Sequence, residues 1–122
     1  MLAKSITCGL DGVRGYPVEV EAYISNGLVG FDIVGLPSAA VKESRDRVRA
    51  AMLNSGYEFP FGKVTVNLAP ADIRKEGPLY DLPILIAMLK ATDQLSADIS
   101  RCAFIGELSL NGDIRGVRGM LP

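Results

Sequence analysis

The chain contains no histidine. Its absence removes the commonest general base at neutral pH and the commonest transition-metal ligand. Cysteine is almost as scarce. Cys8 and Cys102 are far apart and form no Cys-x-x-Cys spacing, so neither a zinc pattern nor a disulfide framework is present. Both lie in strand-like apolar runs, and two buried, reduced thiols are expected. Charge of one sign is not in excess: 13 Lys and Arg stand against 14 Asp and Glu. A basic field over the whole molecule is therefore excluded, and any nucleic-acid contact needs a local patch. No apolar run reaches membrane-spanning length, and Met1-Leu-Ala-Lys-Ser lacks the apolar core of a signal peptide. A soluble, cytoplasmic protein without membrane contact is expected.

Phosphate and metal signatures are missing as well. No GxxxxGK[ST] segment occurs, which excludes P-loop nucleotide binding by this chain. Gly27, Gly30 and Gly35 flank strands without forming GxGxxG and read as turn residues. Asp11, Asp32, Asp72 and Asp81 follow no EF-hand or metal-cluster spacing, so no metal site is expected.

What remains is a chain of 122 residues, 48% hydrophobic, with abundant turn formers. That suffices for one domain with its own core. Lys4 to Leu10 alternates as a strand, and Asp11-Gly12 is a turn signal. In Tyr16 to Ile24, Val18, Val20, Ala22 and Ile24 share one face while Glu19, Glu21 and Tyr23 share the other. Phe31 to Val34 reads as a third strand. Ser38 to Asn54 reads as a helix capped by Ser38, with Val41, Ser44, Val48 and Met52 forming an inward stripe. Lys63 to Leu68 is a fourth strand, Asp81 to Ala91 a second helix, and Cys102 to Ile105 a fifth strand. Gly106 to Arg115 reads as a hairpin turning at Asn111-Gly112. The expected order is βββαβαβ plus a short hairpin strand, in an α+β domain.

Between the fourth strand and the second helix lies Pro70-Ala-Asp-Ile-Arg-Lys-Glu-Gly-Pro-Leu-Tyr-Asp-Leu-Pro83, with three prolines, a glycine and five charges. A charged loop that feeds a buried helix is a common functional edge, because free N–H groups gather at the helix start. Lys75-Glu-Gly-Pro-Leu79 resembles the Lys-(Asp/Glu)-Gly-Pro-Ser segment of Lon-type proteases. With Gly30 to Pro37, Val41 to Arg49, Val66 to Pro70 and Gly106 to Asp113, it resembles still more closely the N-terminal domain of the magnesium-chelatase-like AAA+ ATPases of the ComM/YifB type. The resemblance runs from about Leu2 to the end of the chain.

That resemblance implies a Lon-protease-like, ribosomal-protein-type fold with a left-handed βαβ unit, occupying residues 1–122 as one domain. The chain stops at Gly119-Met-Leu-Pro122 in mid-pattern, so a domain cut short at its C-terminal end is expected. The family places an AAA+ module beyond it, hydrolysing ATP with magnesium in a ring of subunits. The implied partners of this domain are that module, neighbouring subunits and DNA; the domain itself is expected to hold no cofactor. An alternative is a degenerate protease-like domain that binds peptides or protein partners.

Catalysis by this domain is not expected. Lon-type chemistry uses a serine activated by a lysine and needs no histidine. The resemblance puts the serine position on Leu79 and the lysine position on or near Leu121, both hydrocarbon. For binding, Lys42, Arg45 and Arg49 lie at i, i+3 and i+7 on one helix face, and Arg14, Arg74 and Lys75 extend it if the loops are adjacent. Such a stripe can track phosphates. It also reads as a solvated face with internal pairs, Glu43 with Arg47 and Asp46 with Arg49. The loop Asp72 to Glu76 reads equally as a partner site or as a self-neutralised solvated loop. Asp81 stands at the mouth of a very apolar helix, and N-capping explains it better than catalysis.

Overall fold

A computed structural model describes residues 1–11 and 14–115, apart from the side chains of Leu10, Asp11 and Arg14. The turn expected at Asp11-Gly12 lies at the border of the described residues, and Gly12 and Leu121 lie outside them.

Alternating strands build the sheet. β1 (Leu2–Asp11), β2 (Arg14–Ser25), β3 (Gly30–Val34) and β4 (Lys63–Ala69) lie in the order β1-β2-β4-β3. β1 with β2 and β2 with β4 are antiparallel, whereas β3 with β4 is parallel. A parallel pair needs a crossover. α1 (Ala39–Lys42) and α2 (Ser44–Asn54) supply it, and α3 (Asp81–Ala91) follows a short 3-10 turn at Pro78–Tyr80. β5 (Glu107–Leu108) and β6 (Ile114–Arg115) form the expected hairpin. The architecture is α+β.

One sheet face is covered and the other is wet, as an antiparallel-rich sheet allows. Val18, Val20, Ala22 and Ile24 point into the core with Val64, Val66, Leu68 and Ile33. Glu19 and Tyr23 are exposed on the opposite face, where Glu21 accepts a 2.9 Å hydrogen bond from the Asn67 amide. α3 packs on β1 and β2, and α2 packs on α3 and β3. The inward stripe Val41, Ser44, Val48 and Met52 is buried throughout. Ser38 caps as expected, its hydroxyl accepting the Val41 N–H at 3.2 Å.

Several expectations need correction. The helix over Ser38 to Asn54 is two helices. At Glu43 the ladder tightens, with the Asp46 N–H bonding the Glu43 carbonyl only three residues back. Cys102 to Ile105 is extended but not a ladder strand. A single bond, Phe104 N–H to the Ile6 carbonyl at 2.8 Å, links it to β1. Gly106 then draws the chain away, donating to the Leu79 carbonyl and accepting from the Leu82 N–H. A Cβ at Gly106 would come within 3.0 Å of Ile114 and 3.4 Å of Leu82, so a larger residue there has to displace these side chains. Both cysteines are exposed, not buried. Cys8 falls on the outer face of β1, because Ser5 and Thr7 take the inward positions. Cys102 follows a bend closed by its own N–H on the Ile99 carbonyl.

Candidate functional site

The basic strip is built on the crossover helices. Lys42, the last residue of α1, and Arg45 and Arg49 on α2 are all exposed, so the single helix face expected of them is divided between two helices, and Arg45 reaches β3. The guanidinium of Arg45 donates to the Lys42 carbonyl at 3.1 Å and to the Phe31 carbonyl at 3.4 Å. Arg49 lies 5.4 Å from the ring centre of Phe59, which itself packs at 5.8 Å on Phe31. Carbonyls hold the Arg45 guanidinium and a ring holds that of Arg49, without cancelling their charge. Among the described residues none of the three enters a salt bridge. The internal pairing expected of this face is therefore half present. Glu43 does reach Arg47 at 3.6 Å, but Asp46 and Arg49 form no ion pair.

The charged loop divides. Arg74 is exposed and bonds Glu76 at 2.9 Å, so its charge is largely spent locally. Lys75 does not join the exposed strip and is fully buried. Its backbone docks beside Pro37, the N–H on the Leu36 carbonyl at 2.9 Å and its carbonyl receiving the Ser38 N–H at 2.8 Å. That docking turns the side chain inward, where the ammonium donates to the Pro70 carbonyl. Burial lowers the Lys75 pKa, opposed by the charge of Asp72.

Asp81 departs furthest from expectation. The helix opens directly out of the 3-10 turn, so Tyr80 takes the N-cap position and Asp81 is already the first helical residue. Its carboxylate caps nothing. It is fully buried and turned toward α2. There it accepts the Ser44 hydroxyl at 2.5 Å and the Arg47 guanidinium at 2.6 and 3.0 Å. The Leu108 N–H completes the set at 3.0 Å. The hydrogen bond to Asp81 holds the Arg47 pKa above its ordinary value, against the opposing effect of burial. With four donors in place and no exposed surface, this carboxylate fastens elements together and has no lone pair free for proton transfer.

Leu79, on which the resemblance puts the Lon serine position, packs in the hydrophobic core at 6% exposure. Among the described residues no group of three or more Asp, Glu, Cys or His is placed to hold a metal ion. No helix among them is long and apolar enough to cross a membrane.

Residues 20–122, which include the basic strip and the Asp81 hub, match the family described as subunit ChlI of Mg-chelatase. The chain belongs to this family. Among related proteins, YifB of Salmonella typhimurium is 55% identical over 111 residues, covering 90% of this chain and 22% of the relative. Competence protein ComM of Haemophilus influenzae is 49% identical over 112 residues, 91% of this chain and 22% of the relative. DNA repair protein RadA of Helicobacter pylori is 28% identical over 116 residues, 93% of this chain and 25% of the relative. The chain thus spans about a quarter or less of the length of these relatives. The ComM/YifB kinship implied by the ordered motifs is the one found.

Two predictions follow from the buried charges of this ChlI-family domain. Asp81→Ala leaves Arg47 without its buried partner and is expected to cost about 3–5 kcal/mol in urea unfolding. A loss near 1 kcal/mol, the size of a lost cap, would contradict the hub. Lys75 is depressed in the folded state relative to 10.5. Between the two values the unfolded chain holds a proton the folded one lacks, so stability rises with pH up to about 10.5. Tyr80 acts oppositely. Burial, with help from Tyr16, raises its pKa from 10.0, so stability falls as pH passes about 10. Thermal melts across the alkaline range should show a rise and then a fall, and Lys75→Met should remove the rise alone.

Proposed function

We propose that this domain is a non-catalytic accessory module of a longer, magnesium-chelatase-like AAA+ ATPase that processes DNA. In this reading the motor lies in the remaining part of the longer protein and works in a ring of subunits. ATP and magnesium are its cofactors, and this domain contributes to assembly and to DNA engagement in the cytoplasm. The observation that carries the reading is the exposed strip Lys42, Arg45 and Arg49: none of the three meets a carboxylate among the described residues, and the two guanidiniums rest on carbonyls and a ring. Cations held in that way are available to phosphates. The names of two relatives, a competence protein and a DNA repair protein, agree with such a role. Arg74 is a lesser contributor because Glu76 occupies it, and Lys75 contributes through the loop it anchors.

The strip lies on a domain with net charge −1, so contact should be weak, sequence-independent and strongly salt-sensitive. Fluorescence anisotropy with a labelled duplex across a salt series tests it. The triple substitution Lys42→Ala, Arg45→Ala, Arg49→Ala should weaken binding at every sequence. It should also flatten the slope of log K against log salt by about 3. An unchanged slope would remove DNA from the function of this strip.

A further inference from the structure

The opposite edge of the sheet carries a different kind of site. β1 is an edge strand, and in an antiparallel pair alternate residues turn both backbone groups toward the partner or both away. Two observations fix the phase. Met1 exchanges both of its backbone bonds with Ile24, at 2.9 and 3.1 Å. The Ile6 carbonyl points the other way and accepts the Phe104 N–H. Leu2, Lys4 and Ile6 therefore present their N–H groups away from β2, and Leu2 and Lys4 present their carbonyls as well. Among the described residues the Phe104 bond is the one backbone hydrogen bond made across this edge.

A groove of about 380 Å³ lies beside Lys4 and Ile6, between β1 and the segment Asp98–Ser100. Its far wall is held by its own contacts. The Lys90 ammonium donates to the Ala97 carbonyl at 2.7 Å, and the Asp98 carboxylate accepts the Ser100 N–H at 3.0 Å. Ile6 and Ile99, both half-buried, give it an apolar lining. The lysines Lys4 and Lys90 are matched by Glu19 and Asp98, so the groove has no preferred charge. The Lys4 side chain stands on the wet face of the sheet, out of the plane in which a new strand would pair.

We propose that this groove binds an extended peptide by strand addition to β1. The peptide pairs with the open backbone groups of Leu2, Lys4 and Ile6 and lays an aliphatic side chain against Ile6 and Ile99. The ligand class follows from the lining: backbone donors and acceptors spaced for a strand, an apolar seat and no net charge. The volume is at the small end of ligand sites and suits a short segment. The site gives the peptide-binding alternative a location. It shares no residue with the basic strip, so it stands or falls independently of DNA binding.

The test uses a phage-displayed random peptide library selected on the protein, followed by synthesis of an enriched peptide. Amide exchange by NMR should slow at Leu2, Lys4 and Ile6 when the peptide binds. N-methylation of alternate peptide residues should weaken binding roughly tenfold, because it deletes the pairing donors. Lys4→Pro, which removes an N–H that β2 does not use, should weaken it similarly. If that variant does not fold, the N-methylated peptides on the unaltered protein decide. Three results would overturn the proposal: no enriched peptide, binding indifferent to N-methylation, or amides of Leu2, Lys4 and Ile6 already protected in the free protein because its own chain covers the edge.

Discussion

One buried carboxylate joins three elements that lie far apart in the chain. A charge without exposed surface is expensive unless each lone pair is met. Asp81 is met from three directions, by Ser44 and Arg47 on α2 and by the Leu108 N–H on β5. Partners 37 and 27 residues distant thereby close on the first residue of α3. The β5–β6 hairpin depends on this most, since Leu108 is its one buried hydrophobic among the described residues. The orientation of α2 depends on it too. With Ser44 and Arg47 fixed inward beside the buried Val48 and Met52, Arg45 and Arg49 are turned outward, and the hub helps to hold that part of the basic strip.

The elements that periodicity controls were legible in advance. The alternation of β2 and β4, the span of α3 and the Ser38 cap all follow from spacing, because burial of one face leaves few alternatives. Asp81 was misread for a local reason. A carboxylate at the start of an apolar helix has a sufficient explanation within one turn, and its true donors are distant in sequence. A signal did exist. Ser44 interrupts the inward stripe of Val41, Val48 and Met52, and a hydroxyl on a buried stripe requires a partner. Lys75 had no such signal. It lies in a run of charges without periodicity, and only the pairing of its backbone beside Pro37 turns it inward. Cys8 was misplaced by one step of strand phase, since Ser5 and Thr7, polar residues, occupy the inward positions.

The surface chemistry is segregated by sheet edge. Beside β3 stand cations steadied by carbonyls and a ring; beside β1 lies a charge-balanced groove lined by open backbone. The first is the surface proposed for a polyanion read without regard to sequence, the second the edge proposed for an extended chain read by its backbone. In the core between them Leu79, the position the resemblance assigns to the Lon serine, serves as packing.

The most direct measurement is a double-mutant cycle on Asp81→Ala and Arg47→Met, followed by urea unfolding. If the carboxylate and the guanidinium are one buried unit, the double variant should be little less stable than Asp81→Ala alone, with a coupling of about 2–3 kcal/mol. Additive losses would mean that the two residues act separately, and the hub could not be what orients α2 and the strip it carries.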